Sequence, residues 1–388
     1  MLLSKVKIMN TKKIKYFLFL FILTTSILSA CSNNEHPQNA SGHTAPENSI
    51  APELSEINMP YELEKNEETG RYLNSYSICY YDKDCLIVAN VFNDTVTATE
   101  IIYPEIKTNG LYLLNLSDDK KYTFYDIKSD GWIYSAVPYK DGIIFAEYTG
   151  VPDEGGYGWS ICYIDGKNKT ILDSGCSRTW FTTHLTLLDN KMPIYVCEKI
   201  NRKQNSVNVQ INKIIDFKSE NIDTFHNFEN LDFLQTNGRV YLACLYEREK
   251  ETLILLSGDA EGIHIKKEIN DSFNSCSITE NYIVVSLGHE MGKTSIMGIN
   301  LDDFQEKSFP QTKRWWRMAG SSGQYCTVID SGFNPYYIDI ENSCVGEILL
   351  PEEMESGFLV KSFYPIEKDK FILDINYMDF YIMDLRNK

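Results

Sequence analysis

No long segment of this chain repeats at the 3.6-residue period of an amphipathic helix, which leaves an all-β reading. The histidines His184, His226, His264 and His289 are scattered, without HExxH or CxxC…HxxxH spacing, so nothing supports a metal centre. A Gly-x-Ser-x-Gly elbow is missing, and Gly292-Lys293-Thr294 lacks the upstream glycine of a phosphate loop. Serine-hydrolase and nucleotide-hydrolase readings fall with them, and no cofactor is expected. Positive charge is also short: the formal net charge of −17 includes five lysines within residues 1–30, so the chain from Cys31 carries about −22. Such a surface repels phosphate backbones, which excludes nucleic acid as a partner. The apolar run from Tyr16 to Leu28 is too short to span a bilayer, which takes about 20 residues.

That run has another use. Lys12, Lys13 and Lys15 precede it and Leu28-Ser29-Ala30-Cys31 closes it, the anatomy of an export signal. The closing motif resembles a bacterial lipobox. The resemblance implies that residues 1–30 are a signal peptide and that Cys31 becomes an acylated N-terminus, palmitate-bearing and inserted in a lipid bilayer. The expected location is the extracytoplasmic side of a cell membrane or outer membrane. Residues 31–57 are rich in Asn, Ser, His, Pro and Glu and read as a flexible tether. Residues 58–388 are enough for a large core. Lipid on Cys31 leaves nine cysteines, an odd number; Cys79 and Cys85 flank the turn Tyr81-Asp82-Lys83-Asp84 and form a candidate hairpin disulfide.

From residue 72 onward, short runs of Tyr, Ile, Val, Leu and Phe alternate with polar turns, which is the pattern of strands. Anchoring on Ser117, Asp165, Asp216, Ser257, Asn300, Asp339 and Asp384 gives spacings of 48, 51, 41, 43, 39 and 45 residues. Four strands per unit at that period predict a β-propeller of seven blades, each of four antiparallel strands. The last blade lacks an outer strand after Leu385, so Asn58–Lys65 is expected to pair with Phe380–Leu385 and close the ring. In period and strand pattern residues 58–388 resemble exported bacterial propeller lipoproteins of broadly TolB-like or WD40-like shape. Gly-His and Trp-Asp pairs of the WD40 kind are missing.

Loops on a rigid scaffold bear function, and propellers carry ligands on the face shared by second-to-third-strand and blade-to-blade connections. Blades 1 to 3 have the longer connections there: Asn93–Asn109, Thr149–Gly158 and Lys199–Val207. All five tryptophans fall near that face, so Trp132, Trp159, Trp180, Trp315 and Trp316 are candidate ligand-binding residues, with Arg178, Arg314 and Arg317 beside them. Glu147 and Glu198 end second strands of neighbouring blades and are the candidate acids of a catalytic alternative. The expected function is a monomeric, non-enzymatic propeller binding a glycan, peptide or partner protein. The alternative is an extracytoplasmic glycoside hydrolase or lyase with carboxylates in the channel.

Overall fold

The computed structural model describes strands β1–β28 and many of the turns joined to them, within residues 49–386; residues 1–48, 58–73, 93–105, 178–182, 289–293, 310–316, 352–359 and several shorter connections lie outside the described residues. The described elements are strands in antiparallel sheets. β1 (Glu53–Ile57) stands apart in sequence from the first sheet, β2 (Asn74–Tyr81), β3 (Asp84–Phe92), β4 (Ile106–Asn115) and β5 (Lys121–Ile127). The next holds β6 (Trp132–Tyr139), β7 (Gly142–Asp153), β8 (Gly156–Ile164) and β9 (Lys169–Ser177). A third holds β10 (His184–Leu188), β11 (Met192–Asn201), β12 (Ser206–Ile215) and β13 (Lys218–His226). Two two-stranded ladders follow: β14 (Phe228–Thr236) with β15 (Tyr241–Glu247), and β16 (Thr252–Gly258) with β17 (Ile263–Asn270). Then come β18 (Phe273–Ile278), β19 (Tyr282–Gly288), β20 (Thr294–Asn300) and β21 (Glu306–Ser308). The next sheet is β22 (Arg317–Ser322), β23 (Tyr325–Ile329), β24 (Pro335–Asp339) and β25 (Cys344–Glu347). The last is β26 (Val360–Pro365), β27 (Lys370–Ile375) and β28 (Asp379–Asp384), completed by β1.

The chain is a β-propeller. Strands β2, β6, β10, β14, β18, β22 and β26 neighbour one another in that order, and β26 returns to lie beside β2. Seven four-stranded blades are not what the pairing records. Among the described residues six sheets have four strands, and Phe228–Asn270 forms two separate ladders. Register shifts at Phe228/Asn230, Leu231/Leu234 and Leu255/Leu256 interrupt both of those ladders.

Ring closure uses an N-terminal strand, one segment earlier than expected. Glu53 pairs with Asp384 and Ile57 with Phe380, whereas residues 58–65 lie outside the described residues. The composition of 31–57 hid this strand, because a five-residue edge strand needs few apolar side chains: Leu54 is half-buried and Ile57 buried.

The core lies between sheets. One cluster joins Val137, Ile144, Tyr148, Trp159 and Ile161 to Leu185, Tyr195, Cys197 and Ile214 of the next sheet. Another joins Tyr325, Ile329 and Tyr337 to Phe363, Phe371 and Leu373. Cys162, Cys176, Cys197, Cys276, Cys326 and Cys344 are free thiols. The register pairs Cys79 with Leu86 and Tyr80 with Cys85, so the two expected disulfide partners hold positions of opposite parity on the β2–β3 hairpin.

At the axis, hydroxyls replace ladders. Ser135 Oγ donates to Leu185 O (3.2 Å) and accepts from Leu185 N (3.4 Å). Met318 N donates to Ser275 Oγ (2.8 Å), Ser277 and Ser321 share a hydroxyl contact of 2.6 Å, and Ser321 Oγ also donates to Ile278 O. Close approach there requires a small residue at position 320, where an added Cβ meets the Phe363 carbonyl oxygen. Gly320→Ala is expected to cost about 1–3 kcal/mol by overpacking, read as a lower urea midpoint with an unchanged m-value.

Candidate functional site

Antiparallel alternation places second-to-third-strand connections on one face of the ring, together with those leading to the next first strand. Strand lengths make that face one-sided. β3 and β4 have 9 and 10 residues, β7 and β8 have 12 and 9, and β11 and β12 have 10 each. Their counterparts are shorter: 7 and 7 in β19 and β20, 5 and 5 in β23 and β24, 6 and 6 in β27 and β28. The β6–β7 ladder stops at Trp132 and Tyr148, yet β7 runs on to pair Asp153 with Gly156. The β10–β11 ladder stops at His184 and Val196, yet β11 runs on to pair Asn201 with Ser206. Two hairpins thus overhang the face beside each other.

Beneath the overhang lies an aromatic row. Register aligns Trp132, Tyr148, Trp159 and Gly175 across β6 to β9. Trp132 and Tyr157 are half-buried and pack on the cluster containing Tyr148 and Trp159. Gly175 is where the Trp159 indole lies flat on the sheet: an added Cβ would stand 2.5 Å from Trp159 Cζ2. Trp159 itself is 1% exposed, and its Nε1 donates to Glu198 O of the next sheet at 3.0 Å. The ring that sequence offered as a ligand platform is therefore an inter-sheet core residue, because blade packing claims its whole surface.

Polar groups flank this row. Lys199 Nζ lies 5.5 Å from the Trp159 ring centre and 2.9 Å from Asp173 Oδ2. Tyr195 Oη donates to Asp173 Oδ2 and contacts Ser219 Oγ, each at 2.5 Å, and burial with the Asp173 bond raises the Tyr195 pKa. Lys199 is about one-third exposed, so its ammonium stands at the rim of the seam.

The expected site residues separate accordingly. Trp132 is at the face, Trp159 is below it, and the side chain of Arg317, which begins β22, is outside the described residues, as are Cys31, Arg178, Trp180, Arg314, Trp315 and Trp316. Glu147 and Glu198 do not meet in an open cleft. Glu147 is buried and held by Lys169 Nζ at 2.5 and 2.8 Å, with the Cys162 thiol donating at 3.4 Å, and Glu198 is buried on β11. Tyr157, Lys199 and Asp173 escaped the sequence reading. Tyr157 carried a signal, since it precedes Trp159 by two residues and shares its side of β8. Among the described residues no group of three or more His, Cys, Asp or Glu could hold a metal ion.

No family model matches the chain, and no curated protein matches it in sequence. Solved structures do match in fold. The β-propeller domain of the Trilobed protease from Pyrococcus furiosus, described as having an open velcro topology, superposes with a TM-score of 0.55 at 11% identity. That match covers 81% of this chain and 94% of that one. The Pyrococcus horikoshii acylaminoacyl peptidase gives 0.51 at 13% identity over 81% of this chain but only 50% of the peptidase. YCF48 from Cyanidioschyzon merolae gives 0.50 at 7% identity over 86% of this chain and 99% of that one. These identities define a class by fold: a propeller.

Trp159→Ala is expected to cost about 3–5 kcal/mol by opening a core cavity, whereas Trp132→Ala costs far less; chemical denaturation of both variants checks this. His184 provides a pH test. Burial lowers its pKa from 6.5 to about 4. The unfolded chain then binds the extra proton between these values, so stability is full above pH about 6.5 and falls by up to about 3 kcal/mol as pH drops to about 4. His184→Gln should flatten that part of the stability–pH curve.

Proposed function

We propose that this chain is a lipid-anchored, extracytoplasmic propeller that binds a glycan, peptide or partner protein on its overhung face, without catalysis. The observation that carries the reading is the one-sided overhang of β7–β8 and β11–β12, with half-buried Trp132 at its foot and half-buried Tyr157 within the β7–β8 hairpin. Aromatic surface at the foot of a rigid wall suits stacking on a sugar or gripping a peptide. On the sequence pattern alone we assign Arg178, Trp180, Arg314, Trp315, Trp316 and Arg317 to the same site. Residues 1–30 act as the export signal, Cys31 as the acylated anchor, and the protein works as a monomer. The ring has seven units, with β14 to β17 acting as one blade; β15 lies beside β16, which supports that count. The hydrolase or lyase alternative loses ground because Glu147 is engaged by Lys169 inside the sheet.

Thermal-shift screening of the chain without residues 1–30 against oligosaccharides and peptides tests the binding claim. A ligand should raise the midpoint by mass action, and Trp132→Ala or Trp316→Ala should abolish the shift while leaving the unliganded midpoint within a few degrees. Silence across the panel, with no partner recovered from membranes, overturns it. The anchor has its own check: cells expressing Cys31→Ala should release the protein from the membrane fraction and incorporate no labelled palmitate.

A further inference from the structure

The segment that closes the ring touches two sheets. Ile50 N donates to Glu347 O at 3.0 Å, and Leu349 N donates to Ile50 O at 2.7 Å, forming a parallel bridge between Ile50 and Ile348 at the end of β25. Three residues later the chain enters β1 and pairs with Phe380–Asp384 of β28. Between the attachments, Ala51 is exposed and Pro52 buried. Proline has no N–H to leave unbonded and holds φ near −65°, so the link is short and stiff. Ile50 and Leu54 pack on the same apolar cluster, which includes Ile348, Val360, Phe363 and Met383 and so spans both sheets.

β1 alone is a weak closure. It has five residues, and Glu53, Ser55 and Glu56 are exposed. Edge strands of this length fray from their ends. Here the N-terminal end does not lie free, because fraying or tension arriving from residue 48 meets the Ile50 bridge first. We propose that residues 49–57 are a two-part strap in which the Ile50 clip on the β22–β25 sheet guards the β1–β28 closure and couples the two sheets. Tension from the lipid anchor proposed above would load this clip; the strap itself rests only on the contacts described.

Hydrogen exchange on the full chain tests it. Ile50→Pro removes the bond to Glu347 O and should speed exchange of the Ile382 and Asp384 amides in β28, which face β1, about tenfold, while amides of β10 and β11 stay unchanged. Unchanged protection in β28 overturns the proposal. Should Ile50→Pro also raise exchange in β10 and β11, Ile50→Ala decides, since it keeps both backbone bonds and removes only the packing. A several-fold rise confined to β1, β28 and Leu349 supports the strap, and none overturns it.

Discussion

Neighbouring sheets meet at the ring axis too splayed to share a backbone ladder, and the rest of the fold depends on how that gap is bridged. Small hydroxyl side chains bridge it. Ser135 reaches the next first strand through both groups of Leu185, and Ser275, Ser277 and Ser321 do the same between β18 and β22. Register shifts recur beside these positions, at Ile133/Ser135, Phe273/Ser275, Met318/Gly320 and Val360/Ser362. A bulge frees a backbone carbonyl and twists the strand toward its neighbour. The second strand then answers with a buried polar residue: Thr327 Oγ1 donates to Gly320 O at 3.1 Å, and Ser286 and Asp374 hold the corresponding pairs. The buried polar side chains Thr327, Ser286 and Asp374 thus sit opposite the shifted first-strand positions.

The repeat was legible because the same kind of turn recurs in several units. Four of the residues that reveal the period are turn formers in the structure. Asp165 accepts from Asn168 N, Asn300 from Asp302 N and Asp303 N, Asp339 from Asn342 N, and Asp384 from Arg386 N, at 2.8 to 3.3 Å. A short side-chain oxygen that bonds a nearby N–H specifies a turn locally, so sequence shows it without tertiary context. Burial of Trp159 could not be read in that way. Its exposure is set by Glu198 and Lys199, about 40 residues away on another sheet, and local pattern gives no account of that distance. The closing strand failed for a related reason: five residues among polar neighbours acquire their meaning only from β28.

Asp216 departs from the other turn residues and shows what the β6–β13 region requires. It and Phe217 both adopt positive φ, +47° and +64°, a conformation that a bulky aromatic resists. Neighbours hold them there. Lys140 Nζ bonds Asp216 Oδ1 at 3.0 Å, Asp216 N donates to Tyr139 Oη at 3.2 Å, and the Phe217 ring packs edge-on against Tyr139 and Tyr163. The Lys140 pair is exposed and adds little alone. The aromatic contacts do more, because they bury apolar area on both hairpins.

This clasp lies on the face away from the overhang, while the Trp159 bond to Glu198 O and the Lys199 pair with Asp173 fasten the same two sheets nearer the candidate site. Two sheets pinned near both ends cannot splay about either one. A binding wall needs that property: hairpins that overhang a face keep their spacing only if the sheets beneath keep their angle. Rigid spacing lowers the ordering cost of binding, since fewer rotamers and loop positions remain to be fixed when a ligand arrives. The sheets with the longest second strands are therefore the ones whose seam carries bonds along its full height, and the aromatic row beneath the overhang is held by the same contacts that join them.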